Sequence, residues 1–191
     1  VIKIGDGNPS LGAITANAHS LARYAALCQE SGLVPIVEPE VLMDGSHSID
    51  ECYDVTGKTL NIVFDQLKML NVNLKGMVLK PNMVISALNC TEQADINKVA
   101  ELTVKCLKEN VPSDVPGIAF LSGGQNSDVA TEHLNKMNSS DSTLPWNLTF
   151  SYGRALQQDA LNTWKGHNRE DAQVAFLNRA KNNSLATTGE Y

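Results

Sequence analysis

Four short apolar runs, at residues 33–37, 77–79, 118–121 and 148–150, each give way to a polar or glycine-rich loop and then to a helix-like stretch. That recurrence constrains the fold more than any other feature of the chain. Short apolar runs bounded by turn residues read as strands buried on both faces. The first three end at Glu38, Lys80 and Ser122, which stand 42 residues apart in each case, and that leaves room for one helix per crossover. Helical patterning supplies those helices at 17–30, with Gly32 as a C-terminal cap, and at 48–70, opened by the capping box Ser48-Ile49-Asp50-Glu51. Further helices are predicted from Ile96 to Leu107 and over 127–137, 154–164 and 170–183.

Alternating strands and helices imply an α/β fold with parallel strands, right-handed crossovers and helices on the outside. Two architectures satisfy this. An open doubly wound sheet could hold four or five strands, whereas a closed eight-stranded barrel normally takes ~250 residues, so a chain of this length would be part of one. Residues 1–4 read as the end of a further strand, so an upstream segment is expected.

Composition narrows the functional classes. With 21 acidic against 15 basic residues the net charge is -6, which leaves no basic surplus for a nucleic-acid backbone. No apolar run approaches the ~20 residues that cross a bilayer, and residues 1–7 lack a secretion signal, so a cytoplasmic chain with no membrane partner is expected. Cys28, Cys52, Cys90 and Cys106 are widely spread with no CxxC pair, which fits reduced thiols. His19, His47, His133 and His167 show no zinc spacing and read as surface or helix-face residues, so no metal is expected. Trp146 and Trp164 read as core or interface anchors, and Met69, Met77 and Met83 as packing.

The ionisable groups fall at the C-terminal ends of the apolar runs, and in parallel α/β folds those ends converge on one face. Lys80 follows Met77-Val78-Leu79 and precedes Pro81. An amine at the rim of an apolar strand has its charged form disfavoured by desolvation, and a neutral amine can attack a carbonyl to form a Schiff base. A solvated strand-end lysine is the alternative. Glu38 and Glu40 flank Pro39, and one such acid beside an amine can shuttle protons while its like-charged neighbour tunes it. Two solvated loop acids would look the same. Ser122-Gly123-Gly124 and Ser151-Tyr152-Gly153-Arg154 each connect a strand to a helix, where backbone N–H groups and a helix N-terminus favour an anion. Arg154 adds a fork suited to a phosphate dianion. Glycine pairs often just make turns, but two neighbouring units of this kind match the phosphate sites that barrels carry on their last two strands.

Taken together, the segments at 32–40, 79–84, 120–125 and 148–157, with Asn183-Ser184-Leu185-Ala186 near the end, resemble the class I, Schiff-base-forming fructose-1,6-bisphosphate aldolases in order along the chain. The resemblance implies a TIM (β/α)8 barrel of which residues 1–191 form roughly the C-terminal half, about four β/α units, without the N-terminal strands and the C-terminal tail. It implies that Lys80 forms the imine, that Glu38 donates and accepts protons, and that Glu40 tunes that acid. Ser122, Gly123, Gly124, Ser151, Gly153 and Arg154 would hold a substrate phosphate. No cofactor or metal is implied, because the iminium itself is the electron sink. A sugar-phosphate substrate, the missing half of the barrel and, by family habit, a homotetramer are the expected partners. A catalytically silent phosphate-binding or scaffold fragment of the same fold is the alternative.

Overall fold

The computed structural model describes residues 1–140 and 143–191. Four parallel strands, β1 (Ile36–Val37), β2 (Val78–Leu79), β3 (Gly117–Phe120) and β4 (Asn147–Phe150), form one sheet in the order β1-β2-β3-β4. The register aligns Ile36 with Val78, Leu79 with Ile118 and Ile118 with Leu148. Each strand neighbours the next in sequence, with no reversal of order. A doubly wound sheet needs such a reversal, whereas a barrel segment does not, so the topology decides between the two architectures.

Among the described residues six α-helices accompany the strands: α1 (Leu11–Glu30), α2 (Ile49–Met69), α3 (Ile96–Asn110), α4 (Ser127–Ser140), α5 (Arg154–Trp164) and α6 (Arg169–Ala186). The capping box forms as expected, with Ser48 Oγ accepting from Glu51 N and the Glu51 carboxylate accepting from Ser48 N. Gly32, at φ 73°, ends α1 in the left-handed conformation that its missing Cβ permits. α1 begins six residues before the predicted start, capped by Ser10. Its buried face is Ile14, Ala18, Ala22 and Ala25, a helical spacing that small, weakly apolar side chains signal only faintly.

The main core lies between sheet and helices, with Phe120, Leu60, Leu67, Met77, Leu79, Met83, Ile118, Leu134 and Met137 essentially inaccessible. Three sequence readings are corrected by it. His47, expected at the surface or on a helix face, is buried within the loop after β1, its carbonyl accepting from Ala87 N, whereas His133 does sit on a helix face, the inward one of α4 with Ala130, Leu134 and Met137. Met69 is exposed, not packed, because it closes the last turn of α2. Leu33 and Val34 lie outside β1 and are exposed, as is Ile36 on its open side. Beyond β1, Ile2 forms an isolated parallel bridge with Val41, which bears out the extended character expected at the start of the chain.

Candidate active site

Three backbone bonds continue the sheet past its formal strand ends: Lys80 N to Val37 O (2.7 Å), Leu121 N to Pro81 O (3.1 Å) and Ser151 N to Phe120 O (2.8 Å). They hold the loops in register, so Glu38, Lys80, Ser122 and Ser151 leave the sheet side by side. Lys80 Nζ lies 3.0 Å from Glu38 Oε1, with 21% of the lysine side chain exposed against 42% of the glutamate. The lysine is therefore tucked against an acid rather than solvated alone. Glu40 is half-buried and its backbone N–H donates to Glu38 O at 3.2 Å around Pro39, but its carboxylate makes no ion pair with Lys80.

Ser122 is buried, and Gly123 and Gly124 follow at φ 58° and 86°. Two successive residues in the left-handed region are open to glycine at little cost and to almost nothing else. A methyl group on Gly124 would sit 3.3 Å from Arg154 Nη2 and 3.4 Å from Met43 Sδ, so the Arg154 guanidinium rests against the backbone of the first turn. Gly153 caps α5 without any side-chain hydrogen bond, which leaves the first N–H groups of that helix to an external acceptor. The two turns are thus brought together, with a cation between them.

Further residues support this arrangement that sequence reasoning had not assigned a role. Asn82 is buried; its Oδ1 accepts from Val41 N (3.0 Å) and its Nδ2 donates to Thr56 Oγ and Met83 O (both 3.1 Å), which ties the loop bearing Glu38 and Glu40 to the loop bearing Lys80. Gln125 Nε2 donates to Ser122 O (3.0 Å), leaving its Oε1 to accept from His133 Nδ1 at 2.7 Å. Burial pushes the His133 imidazole down to about 4, so the ring is neutral near pH 7 and carries its proton on Nδ1. Tyr152, also buried, donates from its hydroxyl to Ala130 O on α4 (2.9 Å). Their sequence signal was proximity, since Asn82, Gln125 and Tyr152 stand within two positions of proposed site residues; polar residues in loops are too common for that to decide. A groove of about 700 Å³ between α5 and α6 is lined by none of the site residues.

The family model for class I fructose-bisphosphate aldolase, described as glycolytic, matches residues 1–191. The chain is 55% identical over 194 residues to a probable fructose-bisphosphate aldolase class 1 of Xanthomonas axonopodis pv. citri, covering 100% of this chain and 58% of that protein. It is 51% identical over 193 residues to fructose-bisphosphate aldolase B of Gallus gallus, covering 53% of that protein. Among solved structures, fructose-bisphosphate aldolase from Plasmodium falciparum, in complex with TRAP and a small molecule inhibitor, superposes with a TM-score of 0.95 at 48% identity, covering 100% of this chain and 56% of that one. The chain spans somewhat more than half the length of these relatives.

Proposed function

Because the chain belongs to the class I fructose-bisphosphate aldolase family, with the partial TIM-barrel fold that goes with it, we propose that its protein cleaves fructose 1,6-bisphosphate reversibly to dihydroxyacetone phosphate and glyceraldehyde 3-phosphate. The observation that carries this reading is the 3.0 Å pairing of Lys80 Nζ with Glu38 Oε1 at the open end of the sheet.

In this reading a proton passes from the Lys80 ammonium to the Glu38 carboxylate, and the freed amine lone pair attacks the C2 carbonyl. Glu38 returns a proton to the resulting hydroxyl, which leaves as water, and the C2=N iminium remains. When the C4 hydroxyl gives its proton to the Glu38 carboxylate, the C3–C4 bonding pair flows into the iminium as an enamine and the aldehyde departs. Protonation at C3 and hydrolysis then free the ketone and regenerate the amine. Glu40, half-buried just beyond Pro39 and outside the ion pair, supplies a second carboxylate beside the acid that pairs with Lys80. The turns at Ser122–Gly124 and Ser151–Arg154 hold the C1 phosphate, which fixes C2 near Lys80 and turns an encounter into a positioned reaction.

Borohydride reduction in the presence of dihydroxyacetone phosphate, followed by peptide mapping, tests the assignment. Label on Lys80, lost in Lys80→Met, is expected; label on another lysine refutes it. The second reading, a catalytically silent phosphate-binding piece, draws on the unpaired outer side of β1 and the exposed Leu33, Val34 and Ile36. Residues 1–191 alone are expected to show little or no turnover, whereas a polypeptide of the relatives' full length should cleave the bisphosphate. Two Arabidopsis thaliana relatives are named as cytosolic, and a cytosolic, self-associating protein is the corresponding expectation here.

A further inference from the structure

α4 and α5 begin directly after the two anion turns, and one side chain from α6 grips both helices. Arg179 is buried. Its Nε lies 2.8 Å from Asp159 Oδ2 on α5, its Nη2 2.6 Å from Asp128 Oδ1 on α4, and its Nη1 3.1 Å from Thr131 Oγ on α4. The second oxygen of Asp159 accepts from Ser127 Oγ at 3.3 Å, so one carboxylate spans from the first residue of α4 to the guanidinium. Thr131 Oγ also lies 2.8 Å from Ser127 O and 2.6 Å from the side-chain amide of the fully buried Asn183. A hydroxyl has one proton to give, and Ser127 O takes it. With the Asn183 amide turned so that Nδ2 donates to Thr131, the hydroxyl's two lone pairs are filled by Asn183 and Arg179, and the other end of that buried amide has no partner among the described residues.

This network is an unusual way to stabilise a helix junction. The guanidinium is buried while Asp128 and Asp159 stay partly in water, and a buried charge held by such pairs is often no more stable than a well-packed apolar side chain, so its clearer consequence is geometry. α5 has particular need of that geometry, since Ala155 is its one fully buried residue. Resting on the reading that the two turns hold a substrate phosphate, we propose that Arg179 is a positioning residue: through Asp128 and Asp159 it sets the separation of the Ser122–Gly124 and Gly153–Arg154 turns, and so their fit to a phosphate dianion.

The test uses the intact protein with Arg179→Met, Asp159→Asn and Arg179→Lys, each checked for its melting temperature. Calorimetry reads the binding of inorganic phosphate, and borohydride trapping with dihydroxyacetone, which lacks phosphate, reads Lys80 independently of the turns. Arg179→Met and Asp159→Asn should weaken phosphate binding about tenfold, the scale on which a small remote misplacement is felt, while dihydroxyacetone trapping stays within about twofold. Arg179→Lys, which keeps the charge without the fork, should fall between wild type and Arg179→Met. Absence of phosphate binding in the wild type, equal losses in both assays, or phosphate affinity that simply follows melting temperature would overturn the proposal. Failure of wild-type trapping at Lys80 with normal phosphate behaviour would instead sink the catalytic reading and leave the clamp standing.

Discussion

Replacing Asn82 by alanine removes a buried amide that, beside the Lys80–Glu38 pair, joins the loops carrying Glu38 and Lys80. Three hydrogen bonds disappear, to Val41 N, Thr56 Oγ and Met83 O. Thr56 can turn its hydroxyl elsewhere, and a carbonyl tolerates the loss of one partner better than an N–H does. Val41 is 3% exposed, so its N–H is left without a partner and out of reach of water. An orphaned buried donor costs ~1–3 kcal/mol and each net bond ~1 kcal/mol, which places Asn82→Ala at about 3 kcal/mol of lost stability. For a chain of this size that is a fall of ~6–12 °C in melting temperature. Asn82→Asp provides the internal control. It keeps an acceptor for Val41 N but buries a carboxylate whose pKa burial raises above the unfolded ~3.9, so its stability should be retained in acid and lost as the pH rises through the raised value. Urea unfolding followed by circular dichroism, at a series of pH values, measures both. A loss under 1 kcal/mol for Asn82→Ala, or an Asn82→Asp profile parallel to wild type, would refute the idea that this amide is the stitch between the two loops.

Two further outcomes follow from the geometry. His133 titrates at about 4 when folded against 6.5 when free, so the unfolded chain takes up the proton first. Stability should fall by up to about 3 kcal/mol as the pH drops through that window. Because His47 is shifted in the same direction by burial, the measurement is the difference between wild type and His133→Asn, whose acid slope should be shallower; identical slopes would contradict it. Gly124→Ala combines a φ of 86° with a methyl 3.3 Å from Arg154 Nη2, and should cost ~1–2 kcal/mol in urea unfolding while weakening inorganic phosphate binding severalfold by calorimetry.

What the sequence disclosed, and what it withheld, divides along physical lines. The four strands were legible because each is an apolar run between turn residues, and α2 was legible because Ser48 and Glu51 state its start chemically. The first turns of α1 were not, since Gly12 reads as a breaker and the buried face is mostly alanine. The juxtaposition of Lys80 and Glu38 could be argued from strand ends alone, because parallel topology brings such ends together. The network of Arg179, Asp128, Asp159 and Asn183 could not. Its members lie as far as 55 positions apart, and no periodicity links a charged residue on one helix to acids on two others.

The backbone bonds beyond the strand ends also bear on how motion is distributed. Lys80 donates its own amide to Val37 O at 2.7 Å while its ammonium group rides on four methylenes. Rigidity and reach are therefore combined in a single residue. Amide hydrogen exchange should find the NH of Lys80 among the slow ones, beside those of Leu121 and Ser151, although the tip of the same side chain is held only by its pairing with Glu38. A strand that stopped one residue earlier would leave the Lys80 amine on a fraying loop, and its aim would wander with it.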